Sequence, residues 1–256
     1  MPPELMALGG GPLPKVTSAL QAKAPLRIVA LGSSSTWGTG ASSRAHTYPA
    51  RLEQELRMLW PDNDVRVFNA GVGGQLARHM LARIEKDVTP RQAQLVIWQT
   101  GVNDAIRGVP LDEFRQQLVS GIARLRAGGS DVILIDQQFY PSFKKLKDGP
   151  MYMAIMRDVA AQKHVPVMQR FRIMQHLISS AQFTEATLLA KDQFHLNDRA
   201  YDCLGRLLAQ QLRSAALPPA AVPAAAANAI PAVAVPKAPA AVEKKLISAP
   251  DAQVGM

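Results

Sequence analysis

The chain has 256 residues, of which 48% are hydrophobic and 19% are charged, and its formal net charge is +9. This length supports one large hydrophobic core and excludes two large domains. A basic chain can bind anions, but here the Lys and Arg residues are scattered, with no aromatic RNA-reading signature or helix-turn-helix pattern, so we expect no nucleic-acid binding.

Alternating apolar runs and amphipathic segments predict the secondary structure between residues 25 and 214. In chain order, we predict a strand at 26–31, a helix at 47–60, a strand at 65–68, a helix at 76–84, a strand at 95–99, a helix at 111–125 before Gly128 and Gly129, a strand at 131–135, a helix at 151–162, a strand at 165–168 and a helix at 198–213. Apolar strands that alternate with helices pair in parallel, with both faces covered. The sequence therefore predicts a three-layer α/β/α sandwich with a five-stranded parallel sheet.

Two terminal segments flank this predicted domain of residues 25–214. Residues 1–24 are expected to be a loosely packed lead-in, and they lack the basic region and apolar run of a secretory signal. Residues 215–256 are rich in Ala and Pro and contain no aromatic residue, so we expect a disordered tail. No segment has the ~20 consecutive apolar residues that span a membrane. Cys203 is the single cysteine, which excludes an internal disulfide and is typical of a small core residue.

Four polar or glycine-rich motifs carry the chemistry of this sequence. GSSSTWG (32–38), NAGVGG (69–74) and GVND (101–104) each follow a predicted strand, and DQFH (192–195) precedes the last helix. Ligands of such sheets bind outside the carboxyl ends of the strands. Taken alone, each motif is common in turns, and the first could also cradle a phosphate at a helix N-terminus.

Together, the four motifs meet the requirements of acyl transfer. A serine hydroxyl is a poor nucleophile unless a base such as histidine takes its proton, and a carboxylate orients that base. Asp192 lies three residues before His195, so one turn can bring its carboxylate to the ring. A glycine N–H and an asparagine amide are suitable donors for the oxyanion of the tetrahedral intermediate.

In this order, the four segments resemble the four sequence blocks of the SGNH, or GDSL-like, hydrolase family. The resemblance covers residues 26–213, and the GSSST first block and the phrase VIWQTGVNDA resemble a bacterial subset of it. It implies a flavodoxin-like SGNH hydrolase fold and a serine esterase that needs no cofactor or metal. The remaining histidines are scattered without metal-ligand spacing and are expected to be structural: His46, His79, His164 and His176.

Carried over residue by residue, the resemblance makes Ser34 the nucleophile, His195 the general base and Asp192 its orienting carboxylate. The oxyanion hole would consist of the Ser34 N–H, the Gly74 N–H and the Asn103 amide.

Two further positions are expected to support this site. Asp104 matches a supporting residue of the third block, and Ser33 stands where the family usually has Asp, so we expect it to support the loop without attacking. The register set by Thr36 and Gly38 selects Ser34 over its serine neighbours, whereas the residues alone leave open which hydroxyl faces His195.

Family resemblance favours short-chain acyl esters, including O-acetyl groups on carbohydrates, as substrates. A lipase or thioesterase-type acyl hydrolase, a non-catalytic SGNH-fold binding module and a flavodoxin-like phosphate binder are the alternatives. The expected partner is a small-molecule or glycan ester, and the sequence does not predict the oligomeric state. The lack of a signal peptide in this sequence favours a cytoplasmic location. The Ala/Pro-rich tail and the usual location of the family favour the periplasm or secretion, with the N-terminus trimmed.

Overall fold

The computed structural model describes residues 1–216, and most of the predicted Ala/Pro-rich tail at 215–256 lies outside the described residues. Within residues 1–216 the strands are β1 Leu26–Gly32, β2 Val65–Gly71, β3 Leu95–Gln99, β4 Asp131–Ile135 and β5 Val167–Met168. The α-helices of the same residues are α1 Pro3–Met6, α2 Pro14–Gln21, α3 Ser34–Trp37, α4 Tyr48–Leu59, α5 Ala77–Leu81, α6 Ile84–Asp87, α7 Val102–Ile106, α8 Leu111–Ala127, α9 Gly149–Gln162, α10 Arg170–Ser179, α11 Glu185–Leu188 and α12 Asp198–Ala216.

The strands form one parallel sheet in the order β2-β1-β3-β4-β5. β1 lies between β2 and β3, so the chain reverses its direction of travel across the sheet after β2. Loops at the carboxyl ends of adjacent strands diverge at such a switch point and leave a crevice. The predicted three-layer α/β/α sandwich with a five-stranded parallel sheet is confirmed.

Alternate residues of the strands enter two separate hydrophobic clusters, because successive side chains point to opposite faces. On one face, Ile28 and Ala30 of β1 pack with residues of α4 and α12, such as Leu52 and Leu208. On the other face, Val29 of β1 belongs to a cluster with residues of α5, α8 and α9. Both faces of the sheet are therefore covered by helices.

The segment before β1 packs on the core, so the expected loose packing of residues 1–24 is wrong. Leu13 and Val16 are 1% and 0% exposed. The backbone N–H groups of Lys15 and Val16 donate to Asp131 Oδ2 at 2.8 and 3.0 Å. A carboxylate thus satisfies donors that have no partner within the first turn of α2, where it also interacts favourably with the helix dipole.

Several element bounds differ from the sequence prediction. β2 continues to Gly71, the predicted helix at 76–84 divides into α5 and α6, and β5 has only two residues. The sequence analysis does not predict α10, which follows β5 after a single residue, Gln169. Cys203 is half-buried on α12. No helix of the described residues is both long and apolar enough to cross a membrane.

The contact of Trp98 with Gly121 gives a prediction about the core. A Cβ at Gly121 of α8 would lie 2.4 Å from Cη2 of the fully buried Trp98 ring. Overpacking costs about 1–3 kcal/mol, more than the about 0.5–1 kcal/mol that alanine gains over glycine within a helix. We expect Gly121→Ala to lower the free energy of unfolding, measured by urea denaturation. Ser120→Ala, on the exposed side of α8, is the control, and equal stability of both variants would contradict the packing.

Candidate active site

Ser34 is the first residue of α3 and follows β1 after a single residue, Ser33. Ser33 and Ser35 are both 1% exposed, whereas Ser34 is half-buried. The Ser33 N–H and the Ser33 hydroxyl both donate to Gln99 Oε1, each at 3.2 Å. Ser33 is therefore engaged below the surface, and Ser34 is the accessible serine of the turn.

Close packing holds this turn against the sheet. A Cβ at Gly32 would lie 2.1 Å from Thr36 Oγ1, and a Cβ at Gly71 would lie 2.0 Å from the backbone nitrogen of Trp37. Only glycine permits these approaches, because no β-carbon fits at such distances. The Thr36 hydroxyl donates to Gln99 Oε1 at 3.1 Å, which fixes α3 on the end of β3.

The loop before α12 brings His195 to Ser34. His195 Nε2 lies 2.8 Å from Ser34 Oγ, although 161 residues separate the two along the chain. His195 Nδ1 lies 2.6 Å from Asp192 Oδ2. The loop is closed by a hydrogen bond from the Ala190 N–H to the His195 carbonyl at 2.8 Å, beside an antiparallel bridge between Leu189 and Leu196. The structure thus brings Ser34, His195 and Asp192 into one hydrogen-bonded line.

Asp192 is held in its ionised form. Its Oδ1 accepts from the backbone N–H groups of Phe194 and His195, both at 3.0 Å. Partial burial raises the pKa of Asp192, but the hydrogen bonds from the His195 ring and from these two N–H groups outweigh it and hold the pKa below its ordinary value. A carboxylate in this position keeps the proton of a neutral imidazole on Nδ1, so that Nε2 can accept a proton.

The second and third sequence motifs lie close to each other. Gly74 has φ +73° and an open surface where a side chain would be. Asn103 Nδ2 donates to the carbonyl of Gln75, the residue after Gly74, at 2.9 Å. Because a side-chain amide has two N–H groups, this contact leaves one for another acceptor.

Asp104, next to Asn103, fixes α7 from below. Its carboxylate is 0% exposed and accepts from the Ala77 N–H at the start of α5, at 3.0 Å to Oδ1. Burial raises the pKa of Asp104 above its ordinary value. The contact joins the helix that carries Asn103 to the segment that follows Gly74.

Arg83 is a site residue that the sequence analysis missed. Its Nη2 donates to the Gly32 carbonyl at 3.0 Å and its Nε to Gln75 Oε1 at 2.7 Å, while Nη1 pairs with Asp87 at 2.6 Å. The guanidinium therefore links the turn before Ser34 to the segment after Gly74. Nothing in the sequence distinguishes this arginine from its surface neighbours, since it lies between two short helices outside any motif.

A second Ser/His/Asp cluster on the surface has a different geometry. Ser42 Oγ lies 2.6 Å from His46 Nδ1 and 2.5 Å from Asp198 Oδ2, and the same His46 nitrogen lies 3.1 Å from Asp198. Here the hydroxyl lies between the ring and the carboxylate. An activating arrangement needs the ring between the other two groups, so this cluster supports a structural role for His46. Within residues 1–216, no group of three or more His, Cys, Asp or Glu side chains could hold a metal ion.

Comparison with known proteins agrees with the fold and the motifs. The model of the non-GDSL lipase-like family matches residues 1–217. The chain belongs to this family. Its first block, in which Ser33 precedes Ser34, lacks the Gly-Asp-Ser-Leu sequence, in keeping with that description.

Similar proteins and similar solved structures are also esterases. An arylesterase of Vibrio mimicus is 24% identical over 171 residues, which are 64% of this chain and 82% of that protein. Esterase TesA of Pseudomonas aeruginosa is 30% identical over 112 residues, or 42% of this chain and 53% of that one. A two-domain esterase active on acetylated mannans superposes with a TM-score of 0.70 at 20% identity, over 82% of this chain and 56% of that chain.

These findings confirm two predictions at the level of class. The chain is an SGNH/GDSL-like hydrolase in fold and family, and a carboxylic-ester hydrolase in enzyme class. At 20% identity the structural likeness concerns the fold alone. The roles of Ser34, Asp192, His195, Gly74, Asn103, Ser33 and Asp104 stay predictions.

The lowered pKa of Asp192 predicts how Asp192→Asn changes stability with pH. Because the pKa of Asp192 is lower in the folded protein, the ionised carboxylate stabilises the fold at pH values above its ordinary pKa of 3.8. This contribution is lost as the pH falls through the pKa of the folded state. We therefore expect the stability difference between wild type and Asp192→Asn to be at least as large near about pH 5 as near about pH 8, and to shrink below about pH 4. Urea denaturation of both proteins measures it, and a difference that shrinks between about pH 8 and 5 would contradict the assignment.

Proposed function

We propose that Ser34, His195 and Asp192 form a catalytic triad that hydrolyses carboxylic esters, with short-chain acyl or O-acetyl esters of carbohydrates as substrates. The observation that carries this proposal is the pair of contacts made by the His195 ring, 2.8 Å to Ser34 Oγ and 2.6 Å to Asp192 Oδ2. Both lie within the hydrogen-bond reach that a nucleophile and its base require.

The reaction proceeds in two halves. Ser34 Oγ attacks the acyl carbon while His195 Nε2 takes the hydroxyl proton, and Asp192 stabilises the imidazolium. The tetrahedral intermediate then expels the alcohol oxygen, which receives the proton from His195, and leaves an acyl-serine. A water molecule attacks this ester while His195 takes one of its protons, and return of that proton to Ser34 releases the acid.

The oxyanion of each tetrahedral intermediate needs donors that are fixed in advance. The N–H groups of Ser34 and Gly74 and the free N–H of the Asn103 amide are the proposed donors. Support comes from the contacts that fix them: Asn103 Nδ2 donates to Gln75 O, and the Val72 N–H donates to Gly32 O at 3.0 Å. Removal of one such donor costs about 2.7–4 kcal/mol of transition-state stabilisation.

Two observations favour carbohydrate esters over buried lipid chains. Two side chains at the site are open to solvent, since Asp192 is 45% exposed and Trp37, three residues after Ser34, is 47% exposed. A site with solvent-exposed edges leaves room for an acyl group that projects from a large alcohol. Among structural neighbours, one esterase is described as active on acetylated mannans, and another structure of it was co-crystallised with mannopentaose.

The direct test is hydrolysis of p-nitrophenyl acetate by wild type, Ser34→Ala and His195→Ala. We expect both variants to lose at least about 10³-fold in kcat/KM, because each removes a member of the proton relay. Parallel assays with butyrate, octanoate and an acetylated oligosaccharide are expected to favour the acetyl esters.

Ser42→Ala and His46→Ala are matched controls, because they remove the same two residue types from the surface cluster. We expect both to keep wild-type activity. A folded wild type that hydrolyses none of these esters would refute the proposal, and the binding-module alternative would then gain. Full activity of Ser34→Ala would refute the choice of nucleophile.

A further inference from the structure

Three glutamine side chains are buried at the carboxyl ends of β3 and β4. Gln99 is the last residue of β3, and Gln137 and Gln138 follow β4 after one residue. Their exposures are 0%, 1% and 0%. A buried amide costs free energy unless it is hydrogen-bonded, so the partners of these three amides indicate what their burial achieves.

Gln99 binds the turn that carries Ser34. Its Oε1 accepts from the Ser33 N–H, the Ser33 hydroxyl and the Thr36 hydroxyl, at 3.1–3.2 Å. These contacts lie on both sides of Ser34 along the chain. One carbonyl oxygen therefore fixes the residues that determine where the Ser34 hydroxyl and N–H lie.

Gln137 binds the loop that carries Asn103. Its Nε2 donates to the Gly101 carbonyl at 3.2 Å. Gly101 has φ +97° and precedes the first residue of α7, the helix in which Asn103 is the second residue. The contact therefore fixes the start of the helix that presents the Asn103 amide.

Gln138 binds the loop that carries His195. Its Oε1 accepts from Arg170 Nη2 at 3.0 Å, and its Nε2 donates to the carbonyl of Phe194 at 3.4 Å. Because a guanidinium is only a donor, Arg170 requires the amide oxygen on its own side and thereby turns the amide nitrogen toward Phe194. Arg170 is itself 1% exposed and is fixed by donation from Nε to the Asp136 carbonyl at 3.0 Å.

We propose that Gln99, Gln137 and Gln138 are positioning residues, each holding one of the three catalytic loops at the carboxyl edge of the sheet. This inference rests on the proposed function of Ser34, Asn103 and His195. The amides touch no substrate, and they act by keeping reacting groups in register, where a displacement of about 1 Å can cost about 10²-fold in rate.

Gln211 provides a matched control for these three residues. It lies on α12, is 0% exposed, and its Nε2 donates to the Leu5 carbonyl at 2.9 Å. This is the same kind of buried amide-to-carbonyl contact, but it holds an N-terminal helix and none of the catalytic loops. Its loss reports the purely structural cost of removing a buried amide.

The test compares Gln99→Leu, Gln137→Leu, Gln138→Leu and Gln211→Leu with wild type in the p-nitrophenyl acetate assay, with Tm measured for each. We expect the first three variants to lose about 10–100-fold in kcat with a smaller change in KM. We expect Gln211→Leu to lose Tm and to keep the wild-type kcat.

Glutamate variants separate the loss of an acceptor from the loss of a donor, which a merely structural role would not distinguish. They also replace any leucine variant that does not fold. Gln99→Glu keeps the oxygen that accepts three hydrogen bonds, so its kcat should exceed that of Gln99→Leu. Gln138→Glu keeps the acceptor for Arg170 but loses the donor to Phe194, so it should remain as slow as Gln138→Leu. An active wild type with variants no slower than Gln211→Leu would overturn this inference, whereas an inactive wild type would overturn the proposed function instead.

Discussion

The parallel pairing of β1, β3 and β4 is the constraint on which the site depends. Parallel strands end at the same edge of a sheet, so the segments that follow them meet there however far apart they lie in the chain. The turn at Ser34 and the loop at Asn103 follow the adjacent strands β1 and β3, and the loop before α12 brings His195 to the same edge. The pairing places Ser34 at this edge, and the His195 loop, closed by the hydrogen bond from the Ala190 N–H to the His195 carbonyl, completes the 2.8 Å contact.

Below that edge lies a polar layer that most of the interior lacks. Arg170 and Asp136 are almost completely buried, and burial raises the pKa of Asp136 to about 6 even though Arg170 lies nearby. A buried charged side chain seldom adds stability over an apolar residue of similar volume, because it loses its hydration on burial. The contacts of Arg170 instead orient other groups. Arg170 fixes the Gln138 amide, which in turn binds the Phe194 carbonyl in the peptide bond before His195.

Much of this arrangement could be predicted from the sequence, for identifiable reasons. β3 and β4 are continuous apolar runs between helices, and their predicted bounds, 95–99 and 131–135, match the structure. The strand-end motifs could be found because their residue types suit acyl transfer and their order matches one family. Parallel pairing then requires Ser34 and Asn103 to lie near one another, and the order of the family's sequence blocks predicts that His195 joins them.

Other features could not be predicted, because they depend on tertiary contacts. α2 is short, and its first turn is completed by Asp131, more than a hundred residues away. β5 is only two residues long and is fixed by its pairing with β4 rather than by its own pattern. Arg83 and Gln99 have no local signature, since a polar residue that bonds a distant group resembles any surface residue in sequence.

Covalent labelling tests the central claim most directly. An organophosphonate that carries a p-nitrophenoxide leaving group should form one covalent adduct per chain. The amount of p-nitrophenoxide released should therefore equal the amount of protein modified. Peptide mass spectrometry should place the adduct on Ser34, and His195→Ala should label far more slowly, because the base that activates the hydroxyl is missing. Labelling of Ser33 or Ser35, or an equal rate in His195→Ala, would contradict the account.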